Sequence, residues 1–129
     1  MGNISKTVLE YSLKAVDAAI EFIQTSGSPQ SYSLAPINEP LDVENPALFG
    51  TPDCLTDSGA AWVAKYILQV LQRVQAVNAQ IPVMFQGSFK GESYWSSSRG
   101  ASAANLTMFI CQDAVSAAGA CKFPVFVGE

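Results

Sequence analysis

The sequence predicts an α/β fold, a parallel sheet with flanking helices, from three observations. Hydrophobic periodicity changes along the chain in the order helix, strand, long loop, helix, strand, long loop, helix, strand, the alternation of βα units. Both long loops follow predicted strands, whereas the helix-to-strand turns at 26–31 and 78–80 are short; folds of this kind gather their sites on the strand-to-helix side. A hydrophobic fraction of 49% against 14% charged, in 129 residues, suits one ordered domain over 1–129 with one core.

Each element has its own justification. Residues 5–24 read as an amphipathic helix, with Val8, Leu9, Leu13, Val16, Ala19, Ile20 and Ile23 at helical spacing. Lys6, Glu10, Lys14, Asp17 and Glu21 fill the other face. Ser5 is the expected cap, and Thr25-Ser26-Gly27-Ser28-Pro29 the stop. Residues 32–37 read as a short strand, apolar on both faces as in a covered parallel sheet. Residues 41–58 form a loop long enough to suggest an active-site segment, punctuated by Pro46, Gly50 and Pro52. Residues 60–77 are the strongest helix, burying Val63, Ile67, Leu68, Val70, Leu71 and Val74. A second strand at 81–85 leads into the loop QGSFKGESYWSSSRG; residues 104–118 read as a third helix, and FPVFV as the last strand.

Composition excludes several functions. Seven Lys and Arg against eleven Asp and Glu leave a charge of −4, with no basic footprint for nucleic acid. No apolar run approaches the roughly twenty residues of a membrane span, and no signal peptide is visible after Met1. The chain has no His, which removes the usual neutral-pH acid/base and most catalytic zinc sites. Cys54, Cys111 and Cys121 form no metal motif, and Gly87 and Gly91 match no phosphate loop. No metal or other cofactor is expected. The cysteines leave three readings open: buried thiols, one disulfide, or a nucleophile. The sequons at Asn3 and Asn105 would accept glycans only in a secreted chain.

What chemistry remains lies in two carboxylates. SYSLAPINEP runs from an apolar stretch into Asn38-Glu39-Pro40, and KFPVFVGE repeats the pattern before Glu129. Pro40 pushes Glu39 out of the helical region, so its carboxylate is expected to project from the strand's rim. Two carboxylates on one rim are the apparatus of glycosidic bond cleavage, which needs no His, metal or cofactor. Tyr94-Trp95 in the second loop is a candidate platform for the apolar face of a sugar ring. The competing readings are a solvent-exposed Glu39 and an aromatic pair that tucks its loop against the core.

LAPINEPL, followed some ninety residues later by KFPVFVGE, resembles the fungal exo-β-1,3-glucanases (glucan 1,3-β-glucosidases) of glycoside hydrolase family 5. The resemblance spans nearly the whole chain, corresponding to about strands four to seven of an eight-stranded (β/α)8 TIM barrel. It implies that Glu39 is the general acid/base and Glu129 the nucleophile of a retaining hydrolysis of O-glycosyl bonds in β-1,3-glucans. It further implies that Asn38 binds the substrate 2-hydroxyl, that Tyr94 and Trp95 belong to an aromatic pair in the loop after strand five, and that the setting is extracellular or the cell wall. The stretch ICQDAVSAAGACKFPVFVGE resembles the family's approach to strand seven.

Two departures accompany these matches. The family's His-x-Tyr segment of strand six is absent around residues 103–105, and strand eight with its Trp has no counterpart. A partial barrel would leave sheet edges open to self-association. The alternatives are a catalytically inactive carbohydrate-binding remnant of a glucanase and a small flavodoxin-like domain whose carboxylates are incidental.

Overall fold

The computed structural model describes residues 2–84, 87–90 and 94–95, with 2–5 described by backbone alone. Two long helices dominate: α1, Gly2–Thr25, and α2, Asp57–Asn78. Three short 3-10 turns stand between them, at Pro29–Ser31, Pro46–Leu48 and Pro52–Cys54, each opened by a proline. Proline suits that position, because its fixed φ matches the turn and its missing N–H would have had no partner there. The chain divides into two compact units, Met1–Pro36 with Tyr66–Met84, and Ile37–Lys65 with Phe85–Glu129. The predicted third helix and last strand lie outside the described residues.

In the first unit, α1 begins earlier than its sequence suggests, so Ser5 stands inside the helix rather than capping it. It ends where Gly27 takes a φ of 82°, a left-handed conformation that glycine adopts without steric penalty. The Ser26 hydroxyl donates to the Ile23 carbonyl at 2.8 Å, a side-chain partner for one of the last four carbonyls. Leu13, Val16, Ile20 and Ile23 are buried, as the periodicity requires. Val8, assigned to the same stripe, is instead half exposed. From α2 this unit buries Tyr66, Ile67, Val70 and Val74. Burial of each such aliphatic side chain contributes about 1.5–3 kcal/mol. The two helices are also linked by an Arg73–Asp17 ion pair and by the Asn78 amide donating to Gln24 at 3.1 Å.

The parallel sheet and partial barrel are not found. Among the described residues there is no strand, and predicted strands 32–37 and 81–85 meet only at an isolated parallel bridge, Leu34 to Val83. The bridge has two bonds: Leu34 N–H donates to the Pro82 carbonyl at 2.8 Å, and Met84 N–H to the Leu34 carbonyl at 2.8 Å. The physical reason for its isolation is written in the neighbours. A parallel ladder would continue with an N–H from residue 36 on one side and from residue 82 on the other. Both are proline and have no N–H to donate. One bridge is all this pairing can form.

Candidate active site

The second unit holds Asn38, Glu39, Tyr94 and Trp95; Glu129 lies outside the described residues. Asn38 is exposed and Glu39 half-buried. Pro40 does keep Glu39 out of the right-handed helical region, but the residue sits at φ 40°, in the left-handed half of the map, rather than in a strand. A non-glycine residue there is uncommon, and such backbone costs of order 1–3 kcal/mol unless its surroundings enforce it.

Those surroundings are visible on the C-terminal side of Glu39. The Pro40 carbonyl accepts the hydroxyl of Ser88, a residue only 1% exposed. Two residues on, the Asp42 carboxylate accepts the Thr56 backbone N–H at 2.7 Å and the Thr56 hydroxyl at 2.5 Å. Thr56 is the cap of α2, its side-chain oxygen accepting Gly59 N–H at 3.1 Å. In a capping box a glutamate three residues into the helix takes the cap residue's N–H; here that position is Gly59, and Asp42 does the work from the loop. A Cβ on Gly59 would meet the Asp42 carboxylate and lie 2.7 Å from a Leu55 methyl. Glycine at this position therefore leaves room for the loop carboxylate.

Ser88 belongs to a turn in which Gly87 accepts the Lys90 N–H at 3.2 Å. Ser88 and Phe89 have φ of 54° and 60°, the sign pattern of a type I′ turn, which ordinarily selects Gly or Asn. Side chains hold it in place. The Trp95 indole N–H donates to the Gly87 carbonyl at 3.1 Å, and the Lys90 ammonium donates to the Pro52 carbonyl at 2.7 Å. Cys54, a buried free thiol, lies with its Sγ 3.6 Å from Ser88 Oγ. Among the described residues every buried side-chain nitrogen and oxygen has a partner, as a polar cluster removed from water requires.

Trp95 is fully buried, its ring 5.4 Å from Tyr94 in an edge-on pair. It packs as core of this unit. Tyr94 is half-buried, its hydroxyl donating to Asp57 at 2.6 Å and its ring lying 4.5 Å from the Lys90 ammonium. The loop after Glu39 lines a cavity of about 440 Å³ with Leu41, Val43, Glu44, Asn45, Pro46, Phe49 and Cys54, within the usual size of small-molecule sites. Phe49 meets Phe89 edge-on at 5.9 Å near it. Among the described residues no group of His, Cys, Asp and Glu could hold a metal ion, and no helix is long and apolar enough to cross a membrane.

Sequence reasoning did not single out Asp42, Thr56, Ser88 or Lys90. Thr56-Asp57-Ser58 ahead of an apolar helical pattern was a readable cap signal, and it places the start of α2 earlier than residue 60. Nothing in Gly87-Ser88-Phe89-Lys90 announces a left-handed turn, because its stability comes from residues far away in sequence.

Two solved structures resemble the chain. Rutinosidase from Aspergillus niger matches at TM-score 0.69 and 62% identity over 70% of this chain. AoRut matches at TM-score 0.69 and 57% identity over 70% of this chain. The chain spans about a quarter of their length, 26% and 25% respectively. No family model and no curated protein matches it. A rutinosidase is a glycoside hydrolase, so these neighbours agree with that general class; they do not support the narrower assignment to a family 5 exo-β-1,3-glucanase.

Proposed function

We propose that the chain carries the acid/base side of a retaining glycoside hydrolase site, with Glu39 as general acid/base and Glu129 as nucleophile. Glu39 would protonate the leaving glycosidic oxygen while Glu129 attacks the anomeric carbon. Glu39 would then take a proton from the water that releases the sugar. Asn38 would bind the substrate 2-hydroxyl, and the half-buried Tyr94 would border the sugar, with Trp95 anchoring it from the core. The observation that carries the reading is the Asn38-Glu39-Pro40 segment, whose acid is held in left-handed backbone ahead of the Ser88 and Asp42 bonds. Backbone held in a rarely populated conformation is often a mark of a functional position.

The substrate would be an O-linked glycoside. The sequence resemblance favours β-1,3-glucan, and the named neighbours favour a rutinoside. By the same resemblance the setting would be extracellular. The binding-only reading is weakened by Trp95, whose buried ring has no face to offer a sugar.

The test is hydrolysis of laminarin and of a rutinoside by the purified chain, with Glu39→Gln as control. Weak turnover of one of them, abolished by Glu39→Gln, is expected. Turnover that survives the substitution, or none on either glycoside, would overturn the reading.

A further inference from the structure

α1 carries a second apolar face that the core of the first unit does not use. Val8, Tyr11 and Phe22 are 50%, 67% and 61% exposed, and Ala15, Ala18 and Thr25 are exposed with them. These residues follow one another at alternating steps of three and four, the spacing of a coiled-coil seam. The buried stripe of Leu13, Val16, Ile20 and Ile23 occupies a different side of the helix. Tyr32 widens one end of the face by an edge contact with Phe22 at 5.7 Å.

We propose that a second copy of this chain covers this face, α1 against α1 in antiparallel register. Turned about a point between Val16 and Asp17, the seam is complementary to itself. Tyr11 meets the partner's Phe22, Ala15 meets the partner's Ala18, and Val8 meets the partner's Thr25. Small residues at the centre let the backbones approach, and the large rings close over the two ends.

The bordering charges select the same arrangement. Lys14 and Glu21 each precede a seam residue on one border, both exposed, and Lys14 leans over the Tyr11 ring at 5.5 Å. In an antiparallel pair this border meets its own copy, so Lys14 faces the partner's Glu21 and Glu21 faces the partner's Lys14. A parallel pair would set Lys14 beside the partner's Ala19 and Glu21 beside the partner's Ser26, with no charge matched. The other border carries Ser12 and Ala19, half-buried and uncharged, and opposes neither arrangement. The antiparallel contact is isologous, so it closes at a dimer.

Sedimentation equilibrium of the intact chain tests this. A concentration-dependent dimer is expected. Lys14→Glu and Glu21→Lys, each alone, should weaken it about tenfold by turning two attractive contacts repulsive. The double variant Lys14→Glu/Glu21→Lys should restore it. Ala15→Glu should leave a monomer. All these positions are exposed, and unchanged helical circular dichroism would show that folding is intact. A wild-type chain that stays monomeric overturns the proposal. So does self-association that the single reversals leave unchanged, or that the double variant fails to restore.

Discussion

The two units are held together by different physics. The first relies on aliphatic burial from its helices, with Leu13, Val16, Ile20, Ile67, Val70 and Val74 all at most 5% exposed. The described part of the second also buries Leu55, Val63 and Trp95, but adds directed bonds from side chains to distant backbone: Ser88 to Pro40, Lys90 to Pro52, Trp95 to Gly87 and Asp42 to Thr56. Apolar packing is non-directional and tolerates small shifts. A hydrogen bond loses most of its value within a fraction of an ångström and a few tens of degrees. The unit with the candidate acid is therefore the one that specifies backbone geometry most tightly, left-handed residues included. That is what the placement of a reacting group demands.

Substitutions can break this contrast, and the largest effect belongs to the aliphatic core. Ile67 is 0% exposed, so Ile67→Ala leaves a cavity and should destabilise the chain by about 2–5 kcal/mol, read from urea unfolding. In the second unit, Asp42→Ala removes a bond rather than volume and should cost less, about 0.5–2 kcal/mol through the lost helix cap. It should also free the loop that follows Glu39. Hydrogen exchange of the Thr56 and Gly59 amides would report that release, and unchanged protection there would remove Asp42 from the cap.

A smaller effect sharpens the picture of the first unit. Burial raises the Tyr66 phenol above its ordinary value of 10.0, because the phenolate loses its water; the hydroxyl donates to the Pro36 carbonyl at 3.0 Å. The unfolded chain therefore releases this proton first as pH rises. The contribution to stability is complete below about pH 10 and is lost as pH climbs toward the folded-state value. Tyr66→Phe should cost about 0.5–1.5 kcal/mol at neutral pH and flatten the alkaline fall in stability. An equally steep fall in the variant would assign the effect to another group. The smallest change expected is from Arg73→Ala. Its ion pair with Asp17 is 40% and 48% exposed, and water and salt screen it to about 0.2–1 kcal/mol. A loss above that range would mean that the arginine stem packs in the core.

Both helices were legible in the sequence because their hydrogen bonds join residues four apart, so the apolar period alone locates them. The single bridge was legible too, in Pro36 and Pro82, but the apolar runs around those prolines read more loudly as strands. Asn38-Glu39-Pro40 marked Glu39 as a candidate carboxylate, and the resemblance of that motif to a known family implied its role as the acid. Its conformation could not have come from there: proline after glutamate restricts the backbone without choosing its left-handed half. That choice accompanies contacts that lie far off in the chain. Ser88 reaches Pro40 across 48 positions, and Asp42 reaches Thr56 across 14. Local preference ranks the turn at Ser88 and Phe89 as unfavourable, and among the described residues bonds to Trp95, Lys90, Cys54 and Pro40, closed by the tertiary fold, hold it there. What depends on neighbours in sequence was determined by the sequence, and what depends on neighbours in space was decided by the fold.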